Sequence, residues 1–370
     1  MNIVKLVIAF LMSFTQFLAP YAQFALHGGT DYLFEDWSAD SAYSADYAVE
    51  LQKDPAKDFV VLNLADIQLS PDLVFAEAGE YTEDMLTRLI NETNPDLITL
   101  TGDNSTSDVG YMRLIEFLDS FKIPWAPVMG NHDGGNGAKL HEGWDAYLLS
   151  QSEYCLFKFG PKGMGYGNYI INITENGKVI HSLFMMDSHS SADDTEASKI
   201  NRGPNGESGY DFFWANQLDW YEWAVKGIAQ TAGNTVQSSV FMHIPPIETR
   251  YARDLMCVNV SPDPNGTDYQ LKEEYRDGNF GSLAEGVCSP EGNNGFFDLA
   301  LSLGSTKDMI YGHDHVNSLS VVYKGIRLSY GLKSSHGSYW NADFMGGSLL
   351  SIHSDGTTTF AHHFMDVQPA

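Results

Sequence analysis

The sequence predicts an α/β domain built on parallel strands, and three observations carry that prediction. Five short runs of β-branched and apolar residues, VVLNLAD, LITLTGDN, APVMGNHD, SVFMH and MIYGHDH, read as buried strands. The first three alternate with helical stretches, a βαβαβ order that implies parallel neighbours joined by right-handed crossovers. Each run also ends in a ligand-type residue: Asp66, then Asp103, then Asn131 and His132, then His243, then His313 and His315. The carboxyl ends of strands are where an open α/β sheet builds its site. Gly102, Gly130 and Gly312 introduce these ends, and a residue without Cβ lets the backbone turn and approach a bound ion or phosphate closely.

The elements follow in order. Residues 1–22 read as a signal peptide, with Lys5 ahead of an apolar core from Leu6 to Leu18 and small residues at Ala19 and Ala22. The mature chain is therefore expected to be secreted or extracytoplasmic. No later segment is long and apolar enough to span a bilayer. Residues 23–56 are acidic and aromatic without periodicity, either a leader or a strap, and the main domain is expected over 57–370. Thr82 is placed to cap a helix over 83–93, which Pro95 stops, and a second helix is expected over 109–120 before the strand IPWAPVM. A helix over 138–150 precedes two strands, GYGNYIINIT and KVIHSLFMMD, joined at the hairpin signal Asn176-Gly177. Trp214, Leu218, Tyr221, Val225 and Ile228 line one face of a further helix, as core packing. The segment 187–210 and much of 245–295 read as loops, and Asp355-Gly356 as a second hairpin turn.

Composition narrows the function. A formal net charge of −27 over 370 residues, with pI near 4.5, opposes binding along nucleic acid, and no basic stripe offsets it. Attraction for a phosphate must then come from bound cations and a few local donors. The three cysteines include no CxxC, which argues against a thiolate metal site; Cys257 and Cys288 flank one insertion and could pair, leaving Cys155 free. Asp, Asn and His instead offer mixed O/N ligands suited to Zn, Mn or Fe.

The series D-x-Q, GDN, GNHD, H and GHDH resembles the calcineurin-like metallophosphoesterases, closest to the small non-purple branch related to plant and fungal purple acid phosphatases. HIPP after the fourth run, EGVCSPEGNNG (285–295), GHDHVN (312–317) and GIRLSYG (325–331) extend the likeness, which runs from about Phe59 to the C-terminus. The resemblance implies a four-layer α/β/β/α sandwich of two mixed sheets, two divalent ions, and a small phosphate-ester substrate. It assigns Asp66, Gln68 and His315 to a first metal, Asn131, His243 and His313 to a second, and Asp103 as the carboxylate shared by both. His132 would act on the leaving-group oxygen, oriented by Asp133. Asn104, which otherwise merely turns the chain, and His336 are candidates for substrate contact. His362 and His363 read as surface residues.

The activity so implied is hydrolysis of a phosphate ester by a metal-bound hydroxide, with a monoester favoured over a diester of a nucleotide or lipid headgroup. Thr106 stands where purple enzymes carry the Tyr that binds Fe(III), so the purple chemistry is not expected. The residues after Asp103 also lack the GDxVDRG pattern of phosphoprotein phosphatases. Gln68 stands where the family pattern has His, which leaves open a weaker first site or a catalytically silent binding protein of the same fold.

Overall fold

The computed structural model describes residues 38–74, 76–133, 139–191 and 209–367. The expected signal peptide, the first part of the leader or strap, and most of the 187–210 loop lie outside them. Among the described residues the strands, numbered in chain order, are β1 (Ala48–Gln52), β2 (Phe59–Leu64), β3 (Leu97–Thr101), β4 (Trp125–Val128), β5 (Tyr169–Glu175), β6 (Lys178–Met185), β7 (Gln237–Phe241), β8 (Cys257–Asn259), β9 (Tyr269–Leu271), β10 (Ser282–Leu283), β11 (Thr306–Tyr311), β12 (Ser320–Tyr323), β13 (Ile326–Tyr330), β14 (Gly346–Ile352) and β15 (Thr358–Phe364).

They form a five-stranded sheet ordered β15-β14-β2-β3-β4, a seven-stranded sheet ordered β1-β5-β6-β7-β11-β13-β12, and a small three-stranded sheet β10-β9-β8. Strands β2, β3 and β4 run parallel, as do β6, β7, β11 and β13, so both large sheets are mixed with a parallel centre.

Side-chain alternation stacks the layers. On β5, Ile171 and Ile173 join the core shared with the five-stranded sheet, whereas Ile170 joins a second core on the opposite face. Helices Glu77–Thr93, Asp108–Ser120 and Lys139–Ser150 bury Leu86, Leu89, Leu114 and Leu149 in the first core. Helices Ala215–Ala232 and Phe296–Leu303 bury Trp220, Tyr221 and Phe296 in the second, against Phe184, Val240 and Met309. Each large apolar side chain so buried contributes about 1.5–3 kcal/mol relative to exposure. The result is a four-layer α/β/β/α sandwich.

Several sequence expectations change in detail. The first long helix begins at Glu77, not after Thr82. Glu77 and Glu80 complement the positive end of its dipole, while Thr82 lies within the helix and gives its hydroxyl to the Ala78 carbonyl at 3.0 Å. Ser107 caps the next helix, accepting from the Gly110 N–H. Within 245–295, helix Glu248–Met256 and strands β8 to β10 replace much of the expected loop. Ala48–Gln52, inside the expected leader or strap, pairs in parallel with β5 at the edge of the larger sheet. The Asn176-Gly177 turn has φ of 52° and 75°, the left-handed pair that a tight hairpin needs. All three cysteines are free, and Cys257 and Cys288 are not paired.

Candidate metal centre

Every expected ligand strand delivers its residue a few positions past its carboxyl end. Asp66 follows β2, Asp103 follows β3, Asn131 follows β4, His243 follows β7 and His313 follows β11. The carboxyl ends of the two parallel centres thus bring their post-strand residues into contact, His243 with Thr101 and His313 with Asp66. The turns there are tight: Asp66, Gln68, Asp103 and His313 hold φ of 54°, 47°, 49° and 79°, a conformation costly for residues with a Cβ. Gly102 adopts φ 82°, and a Cβ there would stand 2.6 Å from the His243 ring. At Gly130 a Cβ would lie 2.4 Å from Asp103 Oδ1, so Ala at either position would displace a ligand residue.

One cluster centres on His243, fully buried, whose backbone N–H and that of Ile244 are both accepted by Ser188 Oγ. Its Nδ1 faces the Thr101 carbonyl at 2.9 Å and so carries the proton. Its Nε2 then presents a lone pair toward Asn131 Oδ1 at 2.8 Å, His313 Nδ1 at 3.1 Å and Asp103 Oδ1 at 3.3 Å. The amide oxygen and carboxylate are acceptors, and only His313 could supply a proton; the His313 Nε2 is buried without a partner among the described residues. Acceptors converging with at most one proton among them fit a divalent cation and fit poorly with hydrogen bonding alone. Burial, reinforced by His243, lowers the His313 pKa to about 3, keeping the imidazole neutral as a ligand must be.

The second cluster comprises Asp66, Asp103 and His315, whose ligand atoms all lie within 4.8 Å of one another. His315 gives its Nδ1 proton to the Tyr339 carbonyl at 2.9 Å, stacks on the Tyr339 ring, and turns Nε2 toward Asp66 Oδ1 at 3.7 Å. Burial lowers its pKa to about 3. The Asp66 carboxylate also accepts the His313 backbone N–H, and burial next to Asp103 pushes it well above the ordinary carboxylate range. Burial alone would raise Asp103 too, but the group is held below the ordinary carboxylate range, with the His132 backbone N–H on Oδ1 among the causes.

Gln68 reaches this cluster with the wrong end for a ligand. Its amide Nε2 donates to Asp103 Oδ2 at 2.9 Å, while its Oε1 accepts from Lys333 Nζ at 3.4 Å. Sequence reading missed Lys333 altogether. It is buried, with 1% exposure, and donates as well to the Asp66 carbonyl and to Ser335 Oγ. One signal was available: a lone lysine within an otherwise uncharged stretch, 328–335, that follows a strand.

The remaining expected residues separate. His132 is exposed beside the clusters, and its backbone N–H donates to Asp103 Oδ1 at 2.8 Å. Asp133 does not orient its ring. Its carboxylate accepts the N–H groups of Asn104, Ser105 and Gly130, the Asn104 side-chain amide and the Tyr111 hydroxyl, tying the loop after β3 to the loop after β4. Burial pushes the Asp133 pKa up to about 7. Asn104 is fully buried and donates to the Val128 carbonyl and Asp133, so it shapes the turn and does not face a substrate. His336 is bound to Thr82 through both its backbone N–H and its Nδ1, and packs edge-on to Trp340.

Residues 59–317 match the family described as Calcineurin-like phosphoesterase, well over half of the 370 residues. Among curated proteins, Probable inactive purple acid phosphatase 14 of Arabidopsis thaliana is 27% identical over 277 residues, covering 67% of this chain and 61% of that protein. Probable inactive purple acid phosphatase 28 of the same plant is 26% identical over 310 residues, covering 74% and 69%. Phosphatase DCR2 of Saccharomyces cerevisiae is 25% identical over 295 residues, covering 73% and 46%. The chain thus spans about three fifths of the length of the first of these relatives.

Proposed function

Given that the chain belongs to the calcineurin-like phosphoesterase family, we propose that it is an exported, divalent-metal-dependent phosphoesterase, acting on small monoesters ahead of diesters. The observation that carries the reading is the convergence of His243 Nε2, Asn131 Oδ1, Asp103 Oδ1 and His313 Nδ1 on one point. A divalent ion held there supplies Lewis-acid polarisation of a phosphoryl oxygen and lowers the pKa of bound water.

The chain's own residues do the rest. Strained turns at Asp66, Asp103 and His313 fix the ligand atoms before substrate arrives, so little reorganisation is left for the reaction. The exposed His132 ring is free to give a proton to the departing alcohol, while its backbone N–H holds Asp103 in place. Exposed Tyr210, edge-on to His313 at 4.5 Å between ring centroids, and exposed Tyr339, stacked on His315, form apolar walls where the alcohol portion would lie.

The test is hydrolysis of p-nitrophenyl phosphate and bis-p-nitrophenyl phosphate by dialysed protein, with Mn, Zn or Mg added and then chelated. Hydrolysis that appears with metal and disappears with chelator is expected, faster on the monoester. No turnover of either ester with any ion would overturn the enzyme reading. It would leave a binding protein of the same fold, which the inward N–H of Gln68 and the names of two relatives favour.

Export rests on the apolar stretch behind Lys5, and among the described residues no helix is long and apolar enough to cross a membrane. Mass spectrometry of the native protein should find no peptide beginning at Met1; an intact N-terminus in a cytosolic fraction would defeat the proposal.

A further inference from the structure

Lys333 is a buried charged group beside the ligand residues that the reaction just outlined does not use. Its three Nζ partners are all oxygens: the Asp66 carbonyl, Gln68 Oε1 and Ser335 Oγ. Ser335 Oγ also accepts the Gly337 N–H and turns its own proton to the Asp66 carbonyl, so it faces Lys333 as an acceptor. Three acceptors match the three hydrogens of an ammonium, and among the described residues no carboxylate is bound to it directly. The charge sits among the residues of the Asp66, Asp103 and His315 cluster and acts electrostatically on all three.

The same ammonium locks Gln68. Reversing the side-chain amide would set Oε1 against Asp103 Oδ2 and NH2 against Nζ, two repulsive contacts in place of two hydrogen bonds. Asp103 is thereby divided. Its Oδ2 is engaged by the Gln68 N–H, and its Oδ1 accepts the His132 backbone N–H and faces His243.

We infer that Lys333 serves as a built-in cation that weakens the Asp66–Asp103–His315 metal site. The chain then binds one divalent ion tightly, at Asp103, Asn131, His243 and His313, and a second only weakly. A second ion would have to approach a buried ammonium and displace an N–H from a carboxylate. Both cost far more in a low-dielectric interior than in water. Among the described residues no ammonium is buried against the His243 cluster, where Asp103 Oδ1 accepts only the His132 backbone N–H and the remaining protein contacts are ring nitrogens and the Asn131 amide oxygen. The inference rests on the metal-dependent reading of this site, but it concerns ion number and not turnover.

Equilibrium dialysis of the chelated and then reloaded chain against Mn or Zn, with metal counted by mass spectrometry, tests it. One tight ion per chain is expected. Lys333→Met, which keeps length and removes charge, should tighten the second ion at least about tenfold, the range that loss or gain of neighbouring support commands at metal sites. Circular dichroism and thermal melting verify its fold. Gln68→Glu, which leaves Lys333 in place and supplies a carboxylate, should likewise raise the second ion's occupancy. In Mn-loaded protein, electron paramagnetic resonance should change from an isolated-ion signal to a coupled pair in either variant. Two equally tight ions in the wild type, or no gain in either folded variant, overturns the inference. A chain that binds one ion and hydrolyses nothing supports it while defeating the enzyme reading; turnover with two equally tight ions does the reverse.

Discussion

His243 and His315, beneath the carboxyl ends of the parallel strands, and His362, on the edge strand β15, are all drawn into the protein yet use their rings differently. His243 and His315 each spend one ring nitrogen on a backbone carbonyl and turn the other toward carboxylate or amide oxygens. His362 closes both: Nε2 donates to the Ser318 carbonyl at 2.8 Å, and Nδ1 meets Ser348 Oγ at 2.9 Å. Phe280, Phe360 and Phe364 then surround its ring at centroid distances of 5.3, 5.5 and 5.6 Å. The difference lies in hydrogen bonding left incomplete at the two buried rings and completed at the half-buried one, which marks the site of chemistry where residue type does not.

The largest expected effect comes from breaking the incomplete side of that comparison. Asp103 is the carboxylate common to both clusters, so Asp103→Ala should remove the tight ion and lower kcat by ~10³-fold or more. Activity that survives in protein of verified fold would mean the two clusters do not act as one centre. A smaller effect should follow from His132→Ala. That side chain binds none of the cluster atoms, so metal content should stay as in the wild type while kcat falls by ~10²-fold, as loss of a general acid does. The loss should shrink for substrates whose leaving group needs no proton. An equal loss for p-nitrophenyl and alkyl phosphates would argue against proton donation by His132.

Much of this centre was legible because its residues are local signals. Asp66, Asp103, Asn131, His243 and His313 each follow an apolar run directly, and parallel pairing gathers those ends without further instruction. Lys333 was not legible in that way. It reaches the site because β13 pairs in parallel with β11, and its partner Gln68 lies 265 residues away in sequence. Asp133 misled through adjacency. It follows His132 in the chain, yet its carboxylate is taken up by N–H groups of another loop, which no local pattern announces. His362 read as surface and is half-buried: the carbonyl that binds it lies 44 residues away and Phe280 reaches its ring from another strand's flank.

The smallest expected effect is on stability and belongs to the completed side of the comparison. Burial lowers the His362 pKa to about 4 from an ordinary value of 6.5, because its cage offers no charge to offset desolvation of an imidazolium. The unfolded chain therefore binds a proton between those values that the folded chain does not, and stability falls as pH drops. The contribution is fully present above pH 6.5 and is lost progressively as pH falls toward and through about 4, to a limit of roughly 3 kcal/mol for a shift of this size. Urea unfolding of chelated protein at pH 7, 5.5 and 4.5 should show this decline. His362→Gln, which keeps a hydrogen-bonding side chain without a titrating ring, should start less stable at pH 7 and decline less steeply. Parallel declines in the two proteins would mean that His362 is protonated in the fold, and that its ring is not sealed as its two hydrogen bonds and three aromatic neighbours imply.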